Sequence, residues 1–191
     1  MLKTTRLSLI ATTVFVLATL AGPMAHAENV DAVAMFNQAK AERHTGFARK
    51  TRPVDARPSV PGEVVVTTIK GEGVETLSKP AEAGDMVVRN RCPETGDEEY
   101  LVKAAKFPAR YATSDKPAGS DGWQEFLPQG KEMNFYIIPE SQQAFEFEAP
   151  WGEQMVARPG DALLQTPGDE KDTYRVAAAS FACTYDIVKA P

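Results

Sequence analysis

Glu146, Glu148 and Glu153 flank Trp151, and Arg158 follows close behind. Carboxylates beside an indole and a guanidinium can hold a polar ligand against an aromatic face, and paired carboxylates can act as acid and base in hydrolysis. These five residues are the ligand-binding candidates, although the polar edge of a strand would explain them equally. Asp85 and Asp161 form a second set, each directly after a glycine, Gly84 and Gly160. A catalytic dyad would need both in one site. Two matching turn caps are the simpler account, because glycine accepts positive φ and the Asp carboxylate accepts hydrogen bonds from turn amides. No residue is assigned a catalytic role. The chain has no G-x-S-x-G, H-E-x-x-H or Walker loop, and no G-x-G-x-x-G after a strand. Beyond residue 27 its one histidine, His44, falls in a stretch that reads as a linker, so a Ser or Cys nucleophile lacks a well-positioned base. Two distant cysteines and one histidine make a poor zinc set, so neither metal nor cofactor is expected.

The Gly-Asp pairs belong to a longer repeat. Ala83 to Tyr111 reads AGDMVVRNRCPETGDEEYLVKAAKFPARY, and Arg158 to Tyr185 reads RPGDALLQTPGDEKDTYRVAAASFACTY. Gly84, Asp85, Val87, Val88, Tyr100, Val102, Phe107 and Tyr111 stand against Gly160, Asp161, Leu163, Leu164, Tyr174, Val176, Phe181 and Tyr185. Only the turn between the aliphatics and the first Tyr differs in length, the usual place for insertions. Aromatics recurring at equivalent positions fit packing better than a ligand cage, since each unit must bury the same face. Pro159-Gly160-Asp161 followed by aliphatics, with Tyr174 and Phe181-x-x-x-Tyr185, resembles the small bacterial domains named for a PGDYG motif. GVETLSKPAEAGDMVV is similar to the commoner form of that motif, an E-T pair before the Gly-Asp turn. The resemblance spans Val64 to Val188 as two tandem copies and implies an architecture rather than an activity.

The elements that would carry these residues are mostly strands. VVVTTIK (Val64–Lys70) is rich in β-branched residues, and Val74–Leu77 can return beside it. MVVRN and EYLVK, NFYII (Asn134–Ile138), FEFE (Phe145–Glu148) with its phenylalanines inward, ALLQ, TYRV and TYDIV complete the set. Short helices are expected at Ala104–Arg110, cut short by Pro108, and at AAASF. Asn29 can cap a helix from Val30 to about Glu42. TGFARKTRPVDARPSVPGE lacks periodicity and holds several prolines, so it reads as a linker. SDKPAGSDGWQEFLPQGK reads as a loop anchored by Trp123 and Phe126. The expected fold is mainly β: residues 28–61 a short helix and extended basic linker, 62–114 a first β-rich unit, 115–191 a connecting loop and second unit. Residues 62–191 then form one globular domain, with the tyrosines and phenylalanines buried.

Lys3 and Arg6 precede the apolar run Leu7–Leu20, and Ala25-His26-Ala27 offers a small-x-small cleavage site. Residues 1–27 therefore read as a signal peptide, cut after Ala27, and the protein as periplasmic or secreted, with no transmembrane segment in the mature chain. That chain carries nineteen basic against twenty-six acidic side chains, which argues against nucleic acid as a partner. Five cations between Arg43 and Arg57 read as a solvated linker rather than a lipid anchor. In an oxidising compartment Cys92 and Cys183 are a candidate disulfide, dependent on whether their Cβ atoms approach; Cys183, between Phe181 and Tyr185, is expected to be buried either way. Together these features point to a non-catalytic binding or structural module of the bacterial envelope, its partner an envelope ligand or protein. An envelope hydrolase using the carboxylates near Trp151, and an inhibitor or toxin-like protein, are the alternatives.

Overall fold

The computed structural model describes residues 28–191; the signal-peptide reading concerns residues outside that range. The chain is mainly β, as its strand-rich sequence predicts. It opens with β1 (Glu28–Asn29) and α1 (Ala32–Ala41), whose N-cap is Asp31 rather than Asn29: its carboxylate accepts the Ala34 amide at 2.9 Å. The segment read as a basic linker is not one. It forms β2 (Gly46–Lys50) and β3 (Val54–Pro58), both inside sheets. Their buried residues are mostly small (Gly46, Ala48, Ala56), and charged residues (Arg49, Asp55, Arg57) alternate with them, so no apolar stripe marks them. A Cβ at Gly46 would collide with the Lys189 carbonyl and the Phe135 ring, which explains why glycine stands there.

The first repeat continues through the hairpin β4 (Val66–Ile69) and β5 (Gly73–Leu77), then β6 (Met86–Asn90), β7 (Glu99–Val102), α2 (Phe107–Arg110) and β8 (Tyr111–Thr113). Pro108 falls in the first turn of α2 rather than ending it, where its missing N–H costs nothing. The expected loop between the copies contains β9 (Gln124–Pro128), with Phe126 buried. The second repeat then runs β10 (Glu132–Ile137), hairpin β11 (Phe145–Glu148) and β12 (Gln154–Ala157), β13 (Ala162–Thr166), β14 (Asp169–Val176), α3 (Ala178–Thr184) and β15 (Tyr185–Lys189).

Two five-stranded antiparallel sheets result, ordered β7-β6-β3-β9-β8 and β14-β13-β10-β2-β15. Strand for strand the orders correspond, but the repeats exchange their first strands. β2 leaves the first repeat to lie between β10 and β15, and β9 leaves the second to lie between β3 and β8. Registers match too: Val88 faces Ala56 and Tyr100, as Leu164 faces Phe135 and Tyr174. Each sheet builds its own core. Phe107 packs edge-on to Phe126 at 4.9 Å in the first, and Phe181 meets Phe135 at 5.2 Å in the second. A third cluster sets Phe36 of α1 against Phe145 and Phe147, which do point inward. Burying each such ring contributes about 1.5–3 kcal/mol.

The two Gly-Asp turns are superimposable in their bonding. Gly84 and Gly160 have φ of 88° and 83°, open to glycine at no steric cost. Asp85 accepts the amides of Glu82 and Ala104, both at 2.9 Å, and the Lys103 ammonium at 2.9 Å. Asp161 accepts the amides of Arg158 at 2.8 Å and Ala178 at 2.9 Å, and Arg175 Nε at 2.8 Å. One carboxylate thus pins the turn before a strand to the segment that starts the following helix. Paired catalysis by these two residues has no support, since each carboxylate is spent inside its own unit.

These bonds set a pH dependence. Burial works against the Asp85 charge, yet the Glu82 and Ala104 amides and Lys103 hold its carboxyl below the usual range. The Arg57 guanidinium and the Val60 amide bring Glu63 down to about 2. Both folded values lie below the unfolded ones of about 4, so this stability is present above that pH and is lost as pH falls through the folded values. Glu75 opposes them: burial raises its carboxyl despite Arg175, so its contribution is lost as pH rises. Urea midpoints should fall between about pH 4.5 and pH 2, with a shallower slope in Glu63→Gln. An unchanged slope in that variant would remove Glu63 from the account.

Candidate functional site

The sheets meet along a polar and covalent seam. Cys92, fully buried after β6, reaches Cys183 of α3 in a disulfide, their Cα atoms 6.1 Å apart and 91 residues apart in sequence. Cys183 itself is half-exposed, contrary to expectation, because it lies on the outer side of a seven-residue helix whose buried face carries Ser180, Phe181 and Thr184. Beside it the buried Glu98 accepts Asn90 Nδ2 at 2.7 Å, the Thr95 hydroxyl, and Ser180 of the other unit at 2.6 Å. At the far end Arg175, its side chain wholly buried, donates to Asp161, to Glu72 at 2.7 Å and to Glu75. Glu72 also receives Arg158 at 3.0 Å. The tip of the first hairpin is thereby clamped to the second unit.

Between these ties lies a cavity of about 560 Å³, lined from both units. That is within the range of small-molecule sites. The repeat places its tyrosines here: Tyr100 and Tyr111 from one unit, Tyr174 and Tyr185 from the other. The phenylalanines of the repeat fill the cores as expected, but Tyr100, Tyr174 and Tyr185 are only half-buried and face the cavity. The Tyr100 and Tyr111 hydroxyls are 2.8 Å apart. Burial pushes the Tyr100, Tyr174 and Tyr185 hydroxyls above the usual phenol range, so they remain neutral donors in ordinary buffers. Trp151 leans over Tyr174, ring centroids 5.8 Å apart.

Of the five residues nominated by sequence, two line this cavity. Trp151 Nε1 donates to Glu153 at 2.9 Å, and Glu153 also accepts the Thr76 hydroxyl at 3.2 Å and the Lys79 amide at 3.1 Å. Glu153 therefore ties the two hairpins together. Glu146 and Glu148 are exposed on the face of β11 opposite to Phe145 and Phe147, while Glu153 shares the phenylalanine side through its pairing with Ala149. Arg158 is engaged with Glu72. The nominated group is thus split between surface, hairpin clamp and ion pair. Sequence reading missed Lys50 and Arg110. Lys50 lies in the stretch read as a linker, and Arg110 is only the last residue of the expected short helix Ala104–Arg110, with no motif to mark it. The tyrosine spacing was the available signal, but alone it could not separate a core from a cavity wall.

No helix among the described residues is long and apolar enough to cross a membrane. Comparison of the chain with protein-family models, curated proteins and solved structures finds no match.

Proposed function

We propose that this protein is an exported, non-catalytic binding module of the bacterial envelope whose ligand sits between the two β units. The observation that carries the reading is the cavity walled by tyrosines from equivalent repeat positions, within a disulfide-tied pair of sheets. Such a frame holds a ligand in a preformed seat, so little ordering cost falls on binding. Hydrolysis is less well supported. Both oxygens of Glu153 serve the hairpins, and Glu146 and Glu148 lie on the other face of β11.

Melting of the exported protein in the presence of small amphipathic compounds tests the reading. A ligand present at a hundred times its Kd should add about 2.7 kcal/mol of stability, and Tyr174→Ala should abolish that gain. A compound consumed on incubation would instead favour the hydrolase. If nothing stabilises the wild type, or Tyr174→Ala responds equally, the cavity is not the seat. Sequencing the exported chain from its N-terminus should begin at Glu28.

A further inference from the structure

Two cations enter the cavity with donors that the protein leaves unused. An ammonium offers three N–H groups. Asn90 Oδ1 at 2.7 Å and the Tyr100 hydroxyl at 3.0 Å engage that of Lys50, and both are neutral. No carboxylate reaches it at ion-pair distance among the described residues. Arg110 offers five donors in a planar fork. Its carboxylate neighbour Asp172 stands 3.9 Å away, outside hydrogen-bond length, and is itself held by the Thr166 hydroxyl at 2.6 Å. No protein acceptor engages the fork among the described residues.

Both cations border the same tyrosine cluster. The Lys50 nitrogen is 5.4 Å from the Tyr100 ring centre and 5.9 Å from that of Tyr185, and the Arg110 guanidinium is 5.8 Å from that of Tyr174. Five carboxylates line the cavity against seven cations. Glu98 and Glu153 each take three donors, Glu75 takes Arg175 and Asp172 takes the Thr166 hydroxyl, while Asp169 accepts no hydrogen bond among the described residues. The cavity therefore combines surplus cationic donors with aromatic faces.

Resting on the reading of this cavity as the ligand seat, we infer that its ligand is an organic anion: a carboxylate, sulfonate or phosphate borne on a flat apolar body. The anionic head meets Lys50 and Arg110, and the body lies against Tyr174 and Trp151. Charge-assisted hydrogen bonds to the head are the strong ones, and the ring stack supplies the apolar contact.

Two fluorescent probes with the same rings separate head from body: anilinonaphthalene sulfonate, and N-phenylnaphthylamine, which lacks the sulfonate. The sulfonate should bind a single site roughly tenfold more tightly, one charge-assisted hydrogen bond's worth. Lys50→Gln and Arg110→Gln should each erode that preference while leaving the neutral probe's affinity unchanged, which also shows that the variant cavity is intact. Equal affinity of the wild type for both probes, or a preference that neither variant moves, overturns the anion inference but leaves the cavity reading standing. If neither probe binds, the cavity reading falls, and this inference with it.

Discussion

Asp161→Ala should cost about 3–5 kcal/mol of folding stability, the loss typical of removing one partner from a buried ion pair. The carboxylate is 2 % exposed and holds two amides and Arg175 Nε, and the Arg175 side chain has no exposure at all. Without Asp161 that guanidinium keeps Glu72 and Glu75 but loses its partner on Nε, and the Arg158 and Ala178 amides are left to find others. Domains of this size are stable by only about 5–15 kcal/mol in total, so the effect should be large in a urea titration. Asp85→Ala is the internal comparison. It removes the same turn bonds, but its cation Lys103 is 40 % exposed and can turn to water. Its cost should stay near 1–3 kcal/mol. Equal losses at the two sites would show that the turn, not the buried guanidinium, dominates.

Reduction of the disulfide should lower stability by about 4–5 kcal/mol, since it frees a long loop in the unfolded chain. The bond joins residues 91 apart and bridges the two sheets beside the Glu98–Ser180 contact. Urea midpoints with and without reductant give the measurement. The double variant Cys92→Ala/Cys183→Ala should unfold at the reduced protein's midpoint and ignore reductant. A midpoint in the unsubstituted protein that reductant does not move would dispose of the staple.

The sequence by itself determined whatever depends on neighbours along the chain. Gly84 and Gly160 had to be turns because the backbone there takes a φ that other residues resist. Asp85 and Asp161 follow as caps of those turns. Phe145 and Phe147 alternate with glutamates, so one face of β11 had to be buried. The spacing of Tyr100, Phe107 and Tyr111 recurs at Tyr174, Phe181 and Tyr185, so two like units had to form. Tertiary structure decided the rest. β2 and β3 carry glycine, alanine and charges, and they are strands because of the partners that receive them, not because of their own periodicity. Which sheet receives β2 depends on β10 and β15, more than eighty residues away in sequence. That exchange of first strands carries Lys50 out of the supposed linker and into the space between the units. Whether a tyrosine fills a core or walls a cavity depends on what the second unit places opposite it, and pairing across such distances leaves no local mark on the chain.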